Sequence, residues 1–177
     1  MASSSLCRMN LHEECEAELN KQANRELYAS YCYTSLSNYF ARDDVALPGF
    51  AQWCRAQADE EREHAKLFLD VQTQRGGRVV LHTVTKPPKD EWGTPLEAME
   101  AVLELERNNN QAMLDLHRLA HKHHDGHLAN YIEDKLLGEQ VESLKQVSDM
   151  ITQLKLAGPG LGTYLFDKFT MAPATAT

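Results

Sequence analysis

The chain has 177 residues and a formal net charge of −8, with 26 Asp and Glu against 18 Lys and Arg. That length suits one domain able to bury a core without staples, and the acidic balance excludes a general nucleic-acid binder, which needs clustered Lys and Arg. No apolar run approaches the roughly 18 residues of a membrane span, and the N-terminus lacks a secretory-type apolar stretch, so a cytoplasmic location is expected. Cys7, Cys15, Cys32 and Cys54 show no C-x-x-C spacing; they read as reduced thiols rather than a disulfide framework or zinc site.

Of the nine glycines and six prolines only Gly138 falls inside four long windows, and such windows predict helices. The first helix is expected over 12–41. Pro48 suits the first turn of a second helix over 48–76, which Gly76-Gly77 stops. Residues 77–94 form a connection in which only VVLHTVT (79–85) looks extended. Thr94-Pro95-Leu96-Glu97 combines an N-cap Thr, a Pro at the first helical position and a Glu able to close a capping box. It opens a third helix over 95–124. Gly126 separates this from a fourth helix over 127–158, and Gly158-Pro159-Gly160 ends that one. A short fifth helix is expected over 163–171, with a disordered tail over 172–177.

Short links around Asp43-Asp44 and Gly126 make antiparallel neighbours. The 77–94 connection reaches roughly 60 Å when extended, while a helix of 28 residues spans about 42 Å. The connection can therefore run the length of a bundle and leave helices two and three parallel. The expected fold is all-α: one domain over 1–177, a four-helix bundle with one long crossover and a short C-terminal helix.

Each long helix carries an apolar seam at alternating three- and four-residue spacing. The first runs Cys15, Leu19, Gln22, Glu26, Ala29, Tyr33, Leu36, Phe40; the second Phe50, Cys54, Gln57, Glu61, His64, Phe68, Val71. The third runs Met99, Leu103, Glu106, Asn110, Met113, His117; the fourth Leu137, Gln140, Leu144, Val147, Ile151, Leu154. A polar group thus interrupts every seam near its middle: Glu26, Glu61 with His64, Glu106, and Gln140. A single Glu in a seam is more often a slip of register, and a single His more often a satisfied core side chain. Three carboxylates converging at one level are different, because they repel and lose hydration at several kcal/mol per ion, and a cation is the simplest compensation.

The donors are oxygen-rich with one imidazole and no thiolate, which disfavours structural zinc. Glu61-x-x-His64 is the pair used by di-iron carboxylate bundles. A symmetric di-iron enzyme repeats that pair on the fourth helix, whereas here Gln140 and Ser143 stand in the corresponding stretch. One metal position is expected to be well held by Glu26, Glu61 and His64. The other is weaker, with Glu106, shared Glu61 and a neutral amide. Tyr33 lies beside them, able to donate a hydrogen bond or an electron.

These residues resemble the heavy-chain, ferroxidase-bearing type of animal ferritins. The resemblance runs from about residue 10 to 171 and is carried by ELYASYCY (26–33), RDDVALPGFA (42–51), EEREHAKL (60–67), QRGGRV (74–79), NNNQAMLDLH (108–117), GEQVESLK (138–145) and GLGTYLFDKF (160–169). It implies a homo-24-mer, possibly mixed with another subunit type. That shell would take up Fe(II), oxidise it with O2 at a di-iron site inside each subunit, and store the ferric mineral. The ferroxidase ligands would fall on Glu26, Glu61, His64, Glu106 and Gln140, and the helper tyrosine on Tyr33.

The resemblance also implies three-fold pores at His117, Asn130 and Glu133. Asn130 stands where the family usually has a carboxylate, and this weakens the field that steers cations inward. His121, His123, His124 and His127 lie beside that region, and Phe169 stands where many heavy chains carry a four-fold-pore His. The light-chain nucleation cluster is largely absent, the matching helix giving Gln52, Arg55, Ala56 and Asp59. Asp59, Glu60 and Glu63 remain as inner-surface nucleating oxygens. Two rival expectations are a silent shell subunit, opposed by the intact acidic set, and a small di-iron oxidase of organic substrates, opposed by the missing second Glu-x-x-His.

Overall fold

Helix termini in this chain are written into a few polar side chains. In the computed structural model, which describes residues 5–171, helix α1 covers Glu13–Phe40, with Glu13, Glu14 and Glu16 in its first turn. Acidic residues there complement the positive end of the helix dipole. Helix α2 covers Pro48–Gln74, with proline at its start. Helix α3 covers Pro95–Lys122, and both halves of the Thr94–Glu97 capping box are formed. Asp125 caps α4 (Gly126–Ile132) by accepting a hydrogen bond from the Leu128 N–H at 3.0 Å. A π-helical segment, Glu133–Leu137, leads into α5 (Gly138–Ala157). Helix α6 (Leu161–Phe166) continues as a π turn, Asp167–Met171. The extended-looking 79–85 run is irregular, no strand occurs among the described residues, and the expected tail over 172–177 lies outside them. No described helix is long and apolar enough to cross a membrane.

The π segment interrupts the fourth helical stretch, which the sequence presents as one helix. Its cause is the burial pattern. Leu128, Ile132, Leu136 and Gln140 all point inward, at four-residue steps. Each such step overruns an α-helix by about 40°. A wider π turn absorbs the excess, and such turns concentrate at functional sites. It keeps Gln140 facing the core, and buries Leu136 where the seam pattern had suggested Leu137.

Direct links fix the helix directions. Gln72 near the end of α2 donates to the Glu16 carbonyl near the start of α1 at 2.8 Å, so these helices are antiparallel. Glu100 near the start of α3 pairs with Lys155 near the end of α5 at 2.9 Å, so these are antiparallel too. The crossover starts beside the N-terminal half of α1, where Asn20 donates to the Arg78 carbonyl at 3.0 Å and accepts from Val80 N–H at 2.9 Å. It ends beside the C-terminal half, where Trp92 Nε1 donates to Ser35 at 3.0 Å and Tyr39 donates to the Gly93 carbonyl at 2.7 Å. It therefore travels the length of α1, and α2 and α3 run parallel. The fold is an all-α four-helix bundle with one long crossover and a short C-terminal helix.

The apolar core is not continuous. One half gathers Tyr33, Leu36, Phe40, Phe50, Met99, Val147 and Phe166; the other gathers Leu19, Phe68, Val71, Met113, Leu128 and Ile132. Between them lies a layer of buried polar groups. The first half is closed by the C-terminal turn, where Asp167 accepts from the Phe50 N–H at 2.9 Å. A Cβ on Gly49 would lie 2.3 Å from the Asp167 carbonyl oxygen. Gly49→Ala should therefore unseat residues 161–171. Hydrogen exchange should show faster exchange there with the bundle otherwise protected; unchanged protection would mean the turn is held elsewhere.

Candidate metal centre

The polar layer draws one group or more from each long helix. Glu26 comes from α1, Glu61 and His64 from α2, Glu106 from α3 and Gln140 from α5, and none is more than 8% exposed. Glu26, Glu61 and His64 each bring one ligand atom within 4.8 Å of the others. Glu26 is held on both oxygens: Gln22 donates to Oε1 at 2.7 Å and Asn109 to Oε2 at 2.6 Å. Gln22 also donates to Asn109 at 2.7 Å, which locks the pair. His64 Nδ1 stands 3.5 Å from Glu61 Oε2, and His64 Nε2 meets Glu139 at 3.1 Å. Tyr33, fully buried, donates its phenol to Glu106 Oε1, and its ring stands edge-on to Trp53 with centroids 5.9 Å apart.

Four buried polar atoms in this layer have no hydrogen-bond partner: Glu61 Oε2, His64 Nδ1, Glu106 Oε2 and Gln140 Oε1. An unpaired buried polar atom costs about 1–3 kcal/mol, and native proteins seldom leave several together. Three carboxylate or amide oxygens and one imidazole nitrogen form a hard, oxygen-rich donor set of the kind that fits iron.

Electrostatics point the same way. Burial, then the charge of Glu61, pushes the Glu26 carboxyl well above the usual carboxylate range. Burial, then Glu106, raises Glu61 to about 8 from an ordinary 4.5. Burial also raises Glu106, against the lowering effect of the Tyr33 hydrogen bond. Burial and the facing Glu106 carry the Tyr33 phenol far above its ordinary value. Burial and mutual repulsion thus favour the protonated form of all three acids, and a divalent ion held among them would offset the same cost.

A stability test follows. Glu61 keeps its proton in the fold up to about 8 and loses it near 4.5 in the unfolded chain. Its contribution to metal-free stability is thus fully present below 4.5 and is lost as pH rises to about 8. Metal-free Glu61→Gln should outlast the parent in thermal unfolding at pH 8, and the gap should close toward pH 4.5. Equal melting at pH 8 would contradict the carboxyl's assignment to a desolvated, repulsive layer.

Around the centre, the sequence-derived residues separate. Glu60, His64 and Glu139 form a second group with ligand atoms within 4.8 Å of one another. Glu60 and Glu139 also line an open cavity of about 440 Å³ with Gln57, Glu142, Ser143 and Gln146. Asp59 is instead paired with Arg62 at 3.1 Å and Glu63 with Lys66 at 2.9 Å, both exposed. His117 and Glu133 meet at 2.6 Å. Asn130 does not join them, because its amide donates to Asp134 at 3.0 Å. Phe169 is exposed on the C-terminal turn. Sequence reasoning missed Asn109, Glu139 and the anchoring role of Gln22. Gln22 already stood in the α1 seam, and Glu139 adjoins Gln140.

Comparison with known proteins adds an independent line. The family model described as a ferritin-like domain matches residues 16–157. "Soma ferritin" of Lymnaea stagnalis is 53% identical over 173 residues, covering 98% of this chain and 99% of its own length. The "Ferritin, middle subunit" of Aquarana catesbeiana is 50% identical over 170 residues, and that of Salmo salar 48% over 170 residues. Each match covers 94% of this chain and 97% of the relative. A helical bundle with a buried carboxylate–histidine layer, matched over nearly its whole length by ferritins, belongs to the ferritin family.

Proposed function

We propose that the protein is a ferroxidase subunit of an iron-storing shell. Iron storage comes with membership of the ferritin family; oxidation within this subunit is the further step. The observation that carries it is the set of four unpartnered polar atoms in one buried layer, Glu61 Oε2, His64 Nδ1, Glu106 Oε2 and Gln140 Oε1. Fe(II) is the substrate: two ions per site each give one electron to O2, which takes up two protons and leaves as hydrogen peroxide. Glu26, Glu61 and His64 hold the first ion, with Gln22 and Asn109 fixing the Glu26 carboxylate. Glu106, shared Glu61 and Gln140 hold the second. Glu61 releases its proton as iron binds, and Tyr33 is positioned by Glu106 to supply a proton or an electron. The oxidised ions leave past His64 toward Glu60 and Glu139, which line an open cavity, and accumulate as ferric mineral inside the shell.

Storage in this form requires a closed container, here a 24-subunit shell built of this chain alone or with a second subunit type. The relatives named as middle subunits support a mixed assembly. His117 and Glu133 would lie at the three-fold pores, Phe169 near the four-fold pores, and Glu60 with Asp59 and Glu63 on the inner surface. The test is aerobic Fe(II) addition to metal-free protein, following Fe(III) absorbance and O2 consumption and then sizing the product. Rapid O2-dependent oxidation with all iron eluting in a large shell is expected. Oxidation no faster than in buffer would leave a silent shell subunit, and elution as a monomer or dimer would leave a small oxidase.

A further inference from the structure

We infer that Trp53 is a relay residue, which carries a single oxidising equivalent from Tyr33 to the surface of α2. This role rests on the ferroxidase reading of the buried layer. Tyr33 is fully buried and donates to Glu106 Oε1, so its proton can pass through that carboxylate when the ring is oxidised. Trp53 is the only ring in contact with Tyr33 among the described residues, edge to face at 76° with centroids 5.9 Å apart. Rings in this arrangement touch, and an electron passes directly between them. Cys54 follows on the same helix but is fully buried, and the proton released by its oxidation has no outlet. The indole of Trp53 has one. It is half-exposed, and its N–H meets no partner among the described residues and is not sealed off from water. The other indole, Trp92, is buried and donates its N–H to Ser35.

The far end of the relay is placed to be discharged. Trp53, Gln57 and Glu60 stand at i, i+4 and i+7 on α2 and share one face of it. Gln57 and Glu60 line the open cavity with Glu139 and Ser143, the groups toward which ferric iron leaves. The relay acts when hydrogen peroxide meets a centre holding one Fe(II). Peroxide needs two electrons and two protons to become two waters. Fe(II) supplies one electron. Tyr33 supplies the other with its phenolic proton, and the second proton comes from solvent, which leaves Fe(III) and a tyrosyl radical. Trp53 then gives an electron to Tyr33, which regains a proton through Glu106, while the indole N–H proton goes to water. An Fe(II) ion at the cavity reduces the Trp53 radical, which takes a proton back from water, and becomes Fe(III).

The experiment uses the full-length metal-free chain, loaded with limiting Fe(II), mixed with hydrogen peroxide and freeze-quenched for electron paramagnetic resonance. Radical yields are scaled to the Fe(III) formed, so a slower variant is read on the same scale. The parent should show a short-lived tyrosyl signal and, by peptide mass spectrometry, oxidised products of Trp53. In Trp53→Phe the tyrosyl signal should last several-fold longer. In Tyr33→Phe the oxidation of Trp53 should fall several-fold although Trp53 itself is untouched, a change that a merely structural role for either ring does not produce. Equal tyrosyl lifetimes in the parent and Trp53→Phe overturn the relay, as does equal Trp53 oxidation with and without the Tyr33 phenol, or a parent that oxidises Fe(II) rapidly and forms neither species. A parent that oxidises Fe(II) with O2 no faster than buffer removes the ferroxidase reading and the relay together.

Discussion

Glu61→Ala and His64→Ala should each lower the initial rate of O2-dependent Fe(II) oxidation by at least about 100-fold while the assembled protein keeps its size. Each side chain donates to the layer an atom that nothing else in the fold satisfies, and removing one ligand costs more than the roughly 10- to 100-fold lost with a supporting group. Assembly should survive, because deleting one of several mutually repelling buried groups relieves the metal-free fold. The pairing matters: in the proposed centre Glu61 would be shared between both iron positions, whereas His64 would serve one; it also contacts Glu139 at 3.1 Å. Stopped-flow absorbance with parallel sizing reads both effects. A variant that oxidises Fe(II) at the parental initial rate would remove its residue from the centre.

The second large effect concerns whether iron passes through or stays. Gln140 offers a neutral oxygen where a retained di-iron cofactor has an anionic one, and Ser143 stands where it has an imidazole. Ferric iron is a hard cation that prefers anionic oxygen, so in the proposed centre both residues would weaken the grip on the product. Gln140 Oε1 is buried and unpartnered, while Ser143 lines the cavity shared with Glu60 and Glu139. Gln140→Glu combined with Ser143→His should give a normal first burst of oxidation. A second Fe(II) addition after a rest should then be oxidised several-fold more slowly than in the parent, because the site still holds Fe(III). Full recovery in the double variant would mean that ligand weakness at 140 and 143 does not drive iron onward.

The α1 seam was legible residue by residue: Cys15, Leu19, Gln22, Glu26, Ala29, Tyr33, Leu36 and Phe40 are all buried. A 28-residue helix without Gly or Pro leaves the period nothing to slip on. The third seam was legible only in part. It runs through three consecutive asparagines, and Asn109 rather than Asn110 faces Glu26, as Val102 rather than Leu103 faces the core. Neighbouring residues of one type carry no periodic signal, so the packing of α3 against α1 decides which is buried. The fourth helix, read as one stretch over 127–158 with its seam starting only at Leu137, hid the π segment over Glu133–Leu137, which buries Leu136 instead. Glu139 was illegible for another reason. It is exposed and reaches His64 only because α5 packs across from α2, a tertiary fact without local pattern.

The central claim is that iron binds between Glu26, Glu61, His64, Glu106 and Gln140 inside each subunit. Crystals of the metal-free protein soaked in Fe(II) without oxygen, and measured at the iron absorption edge, test it most directly. The account predicts anomalous peaks within bonding distance of Glu26, Glu61 and His64 and, at lower occupancy, of Glu106 and Gln140. Iron found only at surface groups such as Glu60 and Glu139, with the buried layer still closed on its own protons, would contradict it.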